Sequence, residues 1–343
     1  MIAVGLSGGA DSATAALLLH DSGEDLCGIT GYFGESNPGY EKLEKARYIC
    51  RYLGIDHHVL DVCKEFESIK KYFCNEYLAG NTPNPCVICN RDIKFDLLLK
   101  KASGFGADMV ATGHYVRKGI NHGRYFVARA HEVNSQEYFL GLLSQEALRQ
   151  SMFPLENTTK EEAHRIVEGS GLKIPRNETS QDICFLDSGQ YVPFILSSTD
   201  HHSMPGPIVD SSGRVIGEHR GALNYTIGQR KGLGMGFGKR VYVLGIDMAQ
   251  NTVTVGDLDE WPHRGFIVRA VNYMKIPGVY ERMEALIKVR YRQHAEKALI
   301  EPGRGGELVI HYRGVFSPGQ LAVVYDHEDA ILCAGIITSA IFS

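Results

Sequence analysis

The stretch from Ile2 to Gly23 constrains the fold more than any other. Ile2 to Leu6 is a short apolar run that reads as a buried strand, Ser7-Gly8-Gly9 as a tight turn, and Ala13 to Leu19 as an alanine- and leucine-rich helix that stops at Ser22-Gly23. Two adjacent glycines let the backbone approach an anion closely, because no Cβ intervenes. A strand feeding such a turn and then a helix aims backbone N–H groups and a positive helix end at a phosphate. Two common phosphate loops are excluded by spacing. No lysine follows the glycines, as a Walker A loop demands, and the G-x-G-x-x-G pattern is not met.

The elements that follow keep alternating. Asp25 to Phe33 reads as a strand, and Tyr40 to Gly54 as a helix with Leu43, Ala46, Cys50 and Leu53 along one face. His57 to Val62 is a third strand. Lys64 to Leu78 is a helix buried through Phe66, Ile69, Phe73 and Tyr77, with Gly80 at its C-terminal cap. Asn81 to Asn90 holds two prolines and three asparagines and reads as a presented loop. A helix from about Arg91 to Ser103 and a strand, Ala107 to Thr112, come next. This order predicts an α/β fold, a parallel sheet covered by helices on both faces. In such sheets ligands sit beyond the carboxyl ends of the strands. The glycine loop, Gly31 and the Gly113-His114 turn should therefore converge.

Val116 to Ala130 reads as a hairpin turning at Asn121-His122-Gly123, and Thr159 to Glu162 as a capping box opening a helix that ends near Gly169. From about Ser203 helical periodicity fades. Proline–glycine turns alternate with short strands at Val241–Ile246, Thr252–Val255, Phe266–Tyr273, Leu286–Tyr291, Glu307–Tyr312 and Gln320–Tyr325. That predicts one or two small barrel-like β domains. The expected division is 1–202, 203–262 and 263–343.

With 44% hydrophobic and 22% charged residues the composition is that of a globular protein. No apolar run approaches the roughly 18 residues a membrane span needs, and no basic-then-apolar leader precedes the loop. No membrane association is expected, and the placement is expected to be cytoplasmic. The formal charge of −4 argues against indiscriminate nucleic-acid binding but leaves room for a local basic face. Lys94 with Lys100 and Lys101, Arg230 with Lys231, Lys239 with Arg240, and Lys288 with Arg290 and Arg292 are each read singly as solvated surface.

The eight cysteines lack the spacing of a disulfide framework. Cys27, Cys50, Cys63, Cys74 and Cys333 lie in apolar or helical patterns and read as inert core. Cys86 and Cys89 form a Cys-x-x-Cys beside the helix start expected at Asn90. A helix N-terminus stabilises a thiolate, so Cys89 should be the more reactive. Cys184 borders a polar loop and an apolar run. A thioredoxin-type pair would follow the first strand of its unit, and a structural zinc would want a second Cys-x-x-Cys. The remaining reading is sulfur transfer, in which one cysteine carries a persulfide that another attacks by thiol–disulfide exchange.

Ser7 to Ser12, Ser-Gly-Gly-Ala-Asp-Ser, resembles the pyrophosphate loop of the PP-loop ATP pyrophosphatases. Six further segments extend the resemblance, in order, to one family of that class, the tRNA-specific 2-thiouridylases (MnmA). They are Thr-Pro-Asn-Pro-Cys-Val-Ile-Cys-Asn (82–90), Ala-Thr-Gly-His-Tyr (111–115), Ser-Gln-Asp-Ile-Cys-Phe (180–185), Asn-Tyr-Thr-Ile-Gly-Gln-Arg-Lys-Gly-Leu (224–233), Val-Arg-Tyr-Arg-Gln (289–293) and Ser-Pro-Gly-Gln (317–320). The resemblance implies ATP-dependent thiolation of C2 of the wobble uridine in tRNAs for Lys, Glu and Gln. It implies an N-terminal PP-loop sheet followed by two small β domains. ATP, with Mg2+, would meet Gly5, Leu6, Ser7, Gly8, Gly9, Ala10, Asp11 and Ser12, with Gly31 and Gly113 as further nucleotide positions. Asn84, Pro85 and Cys86 match base-contacting positions. His114, Asn134, Ser135, Gln136, Arg290, Tyr291 and Gln320 match tRNA-contacting ones. Cys184 would carry the persulfide received from a sulfur carrier or cysteine desulfurase, and Cys89 would be the nucleophile that frees the sulfur.

The chain departs from the family's pattern at three places. Cys86 stands where many members have Asp, Gly31 where Met is common, and Asn134-Ser135 where Lys-Asp is usual. Three cysteines, Cys86, Cys89 and Cys184, also match the ligand set of a 4Fe-4S cluster with one iron left open. That alternative keeps the same thiolation by another sulfur route. A PP-loop synthetase of another substrate and a non-catalytic RNA-binding module are the rival classes.

Overall fold

The computed structural model describes residues 1–34, 37–175, 183–187, 190–233 and 240–342. The expected Ser180-Gln181-Asp182 segment, Lys239 and most of the Gly232 to Gly238 turn lie outside them.

The first half builds β1 (Ile2–Gly5), α1 (Ala10–Asp21), β2 (Leu26–Tyr32), α2 (Asn37–Leu53), β3 (Asp56–Asp61), α3 (Cys63–Leu78), α4 (Pro85–Cys89), a π-helical stretch (Asn90–Leu97), α5 (Leu98–Ser103) and β4 (Met109–Thr112). The hairpin β5 (Val116–Asn121) and β6 (Arg124–Arg129) follows, then α6 (Gln145–Arg149), β7 (Ser151–Met152), α7 (Lys160–Ser170) and α8 (Tyr191–Ser198). Five strands form one parallel sheet in the order β3-β2-β1-β4-β7. The chain leaves β1 toward β2 on one side and returns to β4 on the other, so the crevice lies at the carboxyl end of β1. Ala3 and Val4 are fully buried there, as a central parallel strand with covered faces requires. The capping box of α7 is present, with Thr159 and Glu162 satisfying each other's backbone.

The helix expected from Arg91 starts six residues earlier, at Pro85. Proline lacks the N–H that the first helical residue would leave unbonded, and its φ already suits a helix, so it opens one readily. The composition of the segment reads as a loop, and the position of one proline reverses that.

The second half holds two β units. β8 (Gly206–Val209), β9 (Val215–His219), β10 (Tyr242–Asp247) and β11 (Thr252–Gly256) form a four-stranded sheet ordered β10-β11-β8-β9. β12 (His263–Tyr273), β13 (Met283–Lys288), β14 (Glu296–Pro302), β15 (Leu308–His311), β16 (Leu321–Tyr325) and β17 (Ile331–Phe342) close into a barrel, with β17 returning to β12. Phe266, Ile287, Ile300, Ile310 and Ile337 fill its interior, all with no exposed surface. β8, β9, β14 and β17 carry no turn-bounded alternation strong enough to read locally, and β13 ends at Lys288, short of the expected Tyr291. Barrel closure supplies the partners that these strands lack on their own. Gly335 permits the closing seam, because a Cβ there would sit 2.5 Å from the Val268 side chain and 2.6 Å from the Arg269 carbonyl.

One of the two largest apolar clusters among the described residues is shared between the two halves. Val87, Phe95, Tyr138 and Leu140 from the α/β half pack with Leu321, Val323, Tyr325 and Ile331 of the barrel. Across the same boundary the Tyr138 hydroxyl donates to the Leu321 carbonyl at 2.7 Å. Lys288 pairs with the buried Glu137 at 2.8 Å. Among the described residues no helix is long and apolar enough to cross a membrane.

Candidate active site

The glycine loop is held by its own side chains. The Ser12 hydroxyl donates to the Gly9 carbonyl at 3.0 Å and accepts from the Ser7 N–H at 3.2 Å. Gly8 takes φ 77°, a left-handed conformation that glycine adopts without strain, and a Cβ there would lie 2.7 Å from the Lys42 carbonyl. Gly9 precedes the first turn of α1, Ala10 and Asp11 lie in that turn, and Gly5-Leu6 end the strand beneath.

The predicted convergence is present. Gly5 pairs in register with Thr112, so the turn at Gly113 leaves the sheet beside the loop. A Cβ on Gly113 would sit 2.6 Å from the Asp11 carbonyl carbon and 2.7 Å from the Ser12 nitrogen. Gly31 stands two residues beyond the Gly5–Ile29 pair on the same edge, where the Phe33 ring and Val62 take the space of a side chain. The Tyr115 hydroxyl donates to the Asp11 carboxylate at 2.6 Å.

Tyr115 is itself clasped. The Gln136 side-chain oxygen accepts from the Tyr115 N–H at 3.1 Å, and the Ser135 hydroxyl donates to the Tyr115 carbonyl at 3.1 Å. Ser135 and Gln136 therefore use their side chains within the fold, and Asn134 is the exposed member of that trio.

The cysteines lie further along the same end. Because α4 begins at Pro85, Cys86 is its second residue and Cys89 lies one turn on, both half-buried. This corrects the expectation that Cys89 sits at the helix start. Burial pushes the Cys89 thiol up to about 11, against the opposing pull of the Lys94 ammonium. Burial raises Cys86 too, again opposed by Lys94. Cys184 is exposed, yet close enough to act electrostatically on both. Its neighbour Phe185 anchors it, packing edge-on to Phe66 at 5.7 Å and to Phe73 at 5.2 Å. Cys63 is a second correction, for it is half-exposed at the carboxyl end of the sheet rather than core.

His114 points its Nδ1 at the Thr112 hydroxyl, 2.8 Å away, and burial together with Lys94 pushes its pKa down to about 3. Its ring is therefore neutral at pH 7. Lys94, read from sequence as solvated surface, thus lies among Cys86, Cys89 and His114. Sequence reasoning also assigned no role to Tyr115, although it ends the Ala-Thr-Gly-His-Tyr segment. A phenol placed next to a glycine turn is the signal that was there to be used.

The barrel reaches toward this end through two segments, one before β16 and one after β13. The Thr82 N–H donates to the Pro318 carbonyl at 2.8 Å, and the Gln320 amide donates to the Thr82 carbonyl at 2.7 Å. The Tyr291 hydroxyl donates to the Asn134 carbonyl at 3.1 Å, and the Arg290 guanidinium to the Ile227 carbonyl at 2.9 Å. Lys288 and Arg290 are thus structural contacts and not the solvated surface expected of them. Asn84 and Pro85 open the helix that presents Cys86.

Among the described residues no three His, Cys, Asp or Glu side chains are grouped to hold a metal ion, and Cys86, Cys89 and Cys184 are all free thiols. As placed, one exposed and two half-buried thiols do not form a ligand set.

Family models match the chain in three consecutive pieces: a tRNA methyl transferase HUP domain over residues 1–188, a tRNA methyl transferase PRC-barrel domain over 195–257, and an aminomethyltransferase beta-barrel domain over 263–337. The chain is similar to the tRNA-specific 2-thiouridylase MnmA of Geotalea uraniireducens, 38% identical over an alignment of 359 positions that covers 99% of this chain and 95% of that protein. The MnmA of Moorella thermoacetica is likewise 38% identical, covering 98% of this chain and 99% of that one. Among solved structures, the U34-tRNA thiolase NcsA of Methanococcus maripaludis with its 4Fe-4S cluster matches 58% of this chain and 65% of that chain at 20% identity, with a TM-score of 0.38.

Proposed function

The chain belongs to the tRNA-specific 2-thiouridylase family, and on that premise we propose that it thiolates the wobble uridine of tRNAs for Lys, Glu and Gln with sulfur from a persulfide on Cys184. Its activity is that of a tRNA-uridine 2-sulfurtransferase that converts ATP to AMP and pyrophosphate. The observation that carries the finer reading is the contrast among three neighbouring thiols: Cys184 is exposed, while Cys86 and Cys89 are half-buried beside it.

The base must leave the anticodon stack to expose its C2 edge. Asn84, Pro85 and Cys86 meet it, and Gly5 to Ser12 with Gly31 and Gly113 cradle ATP. The C2 oxygen attacks the α-phosphorus and pyrophosphate departs. The Asp11 carboxylate, which accepts from Tyr115, would also hold Mg2+ beside the phosphates, and the ion would supply charge neutralisation there when bound. A sulfur carrier or cysteine desulfurase loads sulfane sulfur onto the exposed Cys184. The Cys89 thiolate then attacks the Cys184 sulfur of the persulfide. A Cys89–Cys184 disulfide forms, and the S–S bond breaks with its electron pair on the terminal sulfur, now hydrosulfide. Hydrosulfide adds at C2, and the C2–O bond breaks as AMP leaves with the original oxygen. A thiol reductant resets the disulfide. His114, Asn134, Ser135, Gln136, Arg290, Tyr291 and Gln320 are assigned to the tRNA face, with Ser135 and Gln136 acting through Tyr115. Divisions at 202/203 and 262/263 and a cytoplasmic placement complete the reading.

The test is anaerobic purification with assays of iron, acid-labile sulfide and ATP-dependent tRNA thiolation for wild type, Cys86→Ser, Cys89→Ser and Cys184→Ser. Activity without iron, abolished in the Cys89 and Cys184 variants and kept in Cys86→Ser, supports the relay. Activity that tracks iron and vanishes in all three variants replaces it with a 4Fe-4S route.

A further inference from the structure

Lys94 carries its charge close to Cys86 and Cys89. It lies in the π-helical stretch Asn90–Leu97, whose i→i+5 bonding makes Lys94 the residue one turn on from Cys89. Ile93, which an α-helix would place there, instead turns into the apolar cluster with Val62, Phe66 and Ile69. The acids on either side of Lys94 are engaged by other cations: Asp92 pairs with Arg91 at 2.5 Å and Asp96 with Lys100 at 2.8 Å. Among the described residues Lys94 itself has no ion-pair or hydrogen-bond partner, although it is half-buried. Its charge nevertheless bears on Cys86, on Cys89 and on His114, groups carried by two separate segments. A half-buried ammonium without a counter-ion costs stability, and such a cost is retained at sites that use the charge. Single π-turns inside α-helices are themselves common at functional sites.

We propose that Lys94 is a further catalytic residue of the sulfur-transfer half-reaction, the cation that holds the hydrosulfide freed beside Cys89 and directs it to the activated base. This rests on the persulfide relay above. Hydrosulfide is small and mobile, and the neutral His114 ring offers it no charge. Without a fixed cation it escapes to water after Cys89 has already been oxidised to the disulfide, and that turnover is wasted. Lys94 thus acts after adenylation, when charge develops on sulfur, as preorganised electrostatic stabilisation does.

The experiment uses the full chain, first loaded by a small-molecule persulfide donor, with substrate tRNA, ATP and Mg2+. It compares wild type, Lys94→Met and Lys94→Arg for pyrophosphate released, tRNA thiolated and sulfide escaping to solution. Lys94→Met is expected to keep pyrophosphate release within about twofold, to lose about 100-fold in thiolation, and to leak sulfide in its place, while Lys94→Arg recovers part of the thiolation. Thiolation by Lys94→Met at the wild-type rate overturns the proposal. So does an equal fall of thiolation and pyrophosphate release, which would place Lys94 in adenylation or in the fold. Wild type that thiolates without any cysteine persulfide overturns the relay itself, a result separate from either.

Discussion

The Tyr115 hydroxyl and the Asp11 carboxylate, 2.6 Å apart, tie the segment after β4 to the first turn of α1. Ser135 and Gln136 hold the Tyr115 backbone, so a loop far along the chain sets where an acid of the phosphate loop points. Tyr115→Phe removes that donor and leaves the ring in place. A hydrogen bond to a charged group is worth about 1.5–3 kcal/mol, so ATP-dependent pyrophosphate release should fall roughly 10- to 100-fold, with tRNA affinity unchanged. Steady-state kinetics against ATP, beside a tRNA filter-binding assay, checks both halves.

Gly113→Ala should do more damage, because its new methyl would lie 2.6 Å from the Asp11 backbone and 2.7 Å from the Ser12 nitrogen. The loop and the β4 turn must then move apart, and misplacement of about 1 Å at a reacting centre costs on the order of 100-fold. A variant with wild-type pyrophosphate release would show that the two segments need not touch.

The Lys288–Glu137 pair is a stability feature. Glu137 is 1% exposed, and Tyr325 adds a hydrogen bond to the same carboxylate oxygen at 3.2 Å. Lys288→Met strands a buried carboxylate at the boundary between the α/β half and the barrel, at a cost of about 3–5 kcal/mol. Calorimetry should show a lowered unfolding temperature, largely restored in the double variant Glu137→Leu with Lys288→Met. A double variant as unstable as the single one would place the loss in packing instead.

Thiol reactivity should follow exposure and not the Cys-x-x-Cys motif. Alkylation followed by mass spectrometry is expected to label Cys184 first. Cys89, pushed up to about 11 by burial, should alkylate ever faster from pH 7 to 10 without levelling off, because the thiolate is the nucleophile. A plateau near pH 8 would mean that the buried thiol is not the dominant form.

His114 carries a pH signature. Its folded pKa of about 3 lies below the unfolded value near 6.5, so below pH 6.5 the unfolded state takes up a proton that the folded state refuses. The contribution of a neutral His114 to stability is therefore complete above about pH 6.5 and is lost as pH falls toward 3. A histidine ring-proton signal that does not shift between pH 7.5 and 5, and that disappears in His114→Gln, is the expected NMR result.

The amino-acid order by itself determined whatever depends on neighbours within about one turn or one strand. The Ser7 to Ser12 loop, the alternation that builds the parallel sheet, the β5–β6 turn at Asn121-His122-Gly123 and the Thr159–Glu162 capping box were all legible, because glycine φ, side-chain period and cap chemistry are local properties. The convergence of Gly5, Gly31 and Gly113 followed from parallel topology alone. Only the tertiary structure decided the phase of the helix from Pro85 to Ser103. Its early start and its π-turn shift which side chains share a face, and that shift sets Lys94 near Cys86, Cys89 and His114. The same holds for β14 and β17, which gain ladder partners only when the barrel closes, and for Lys288 and Arg290, which look like surface cations until the barrel docks. Cys184 joins the other two thiols because Phe185 finds an aromatic cluster on α3. These outcomes rest on pairings between residues distant in sequence, whose energy comes from burial and register and leaves no short-range pattern to read.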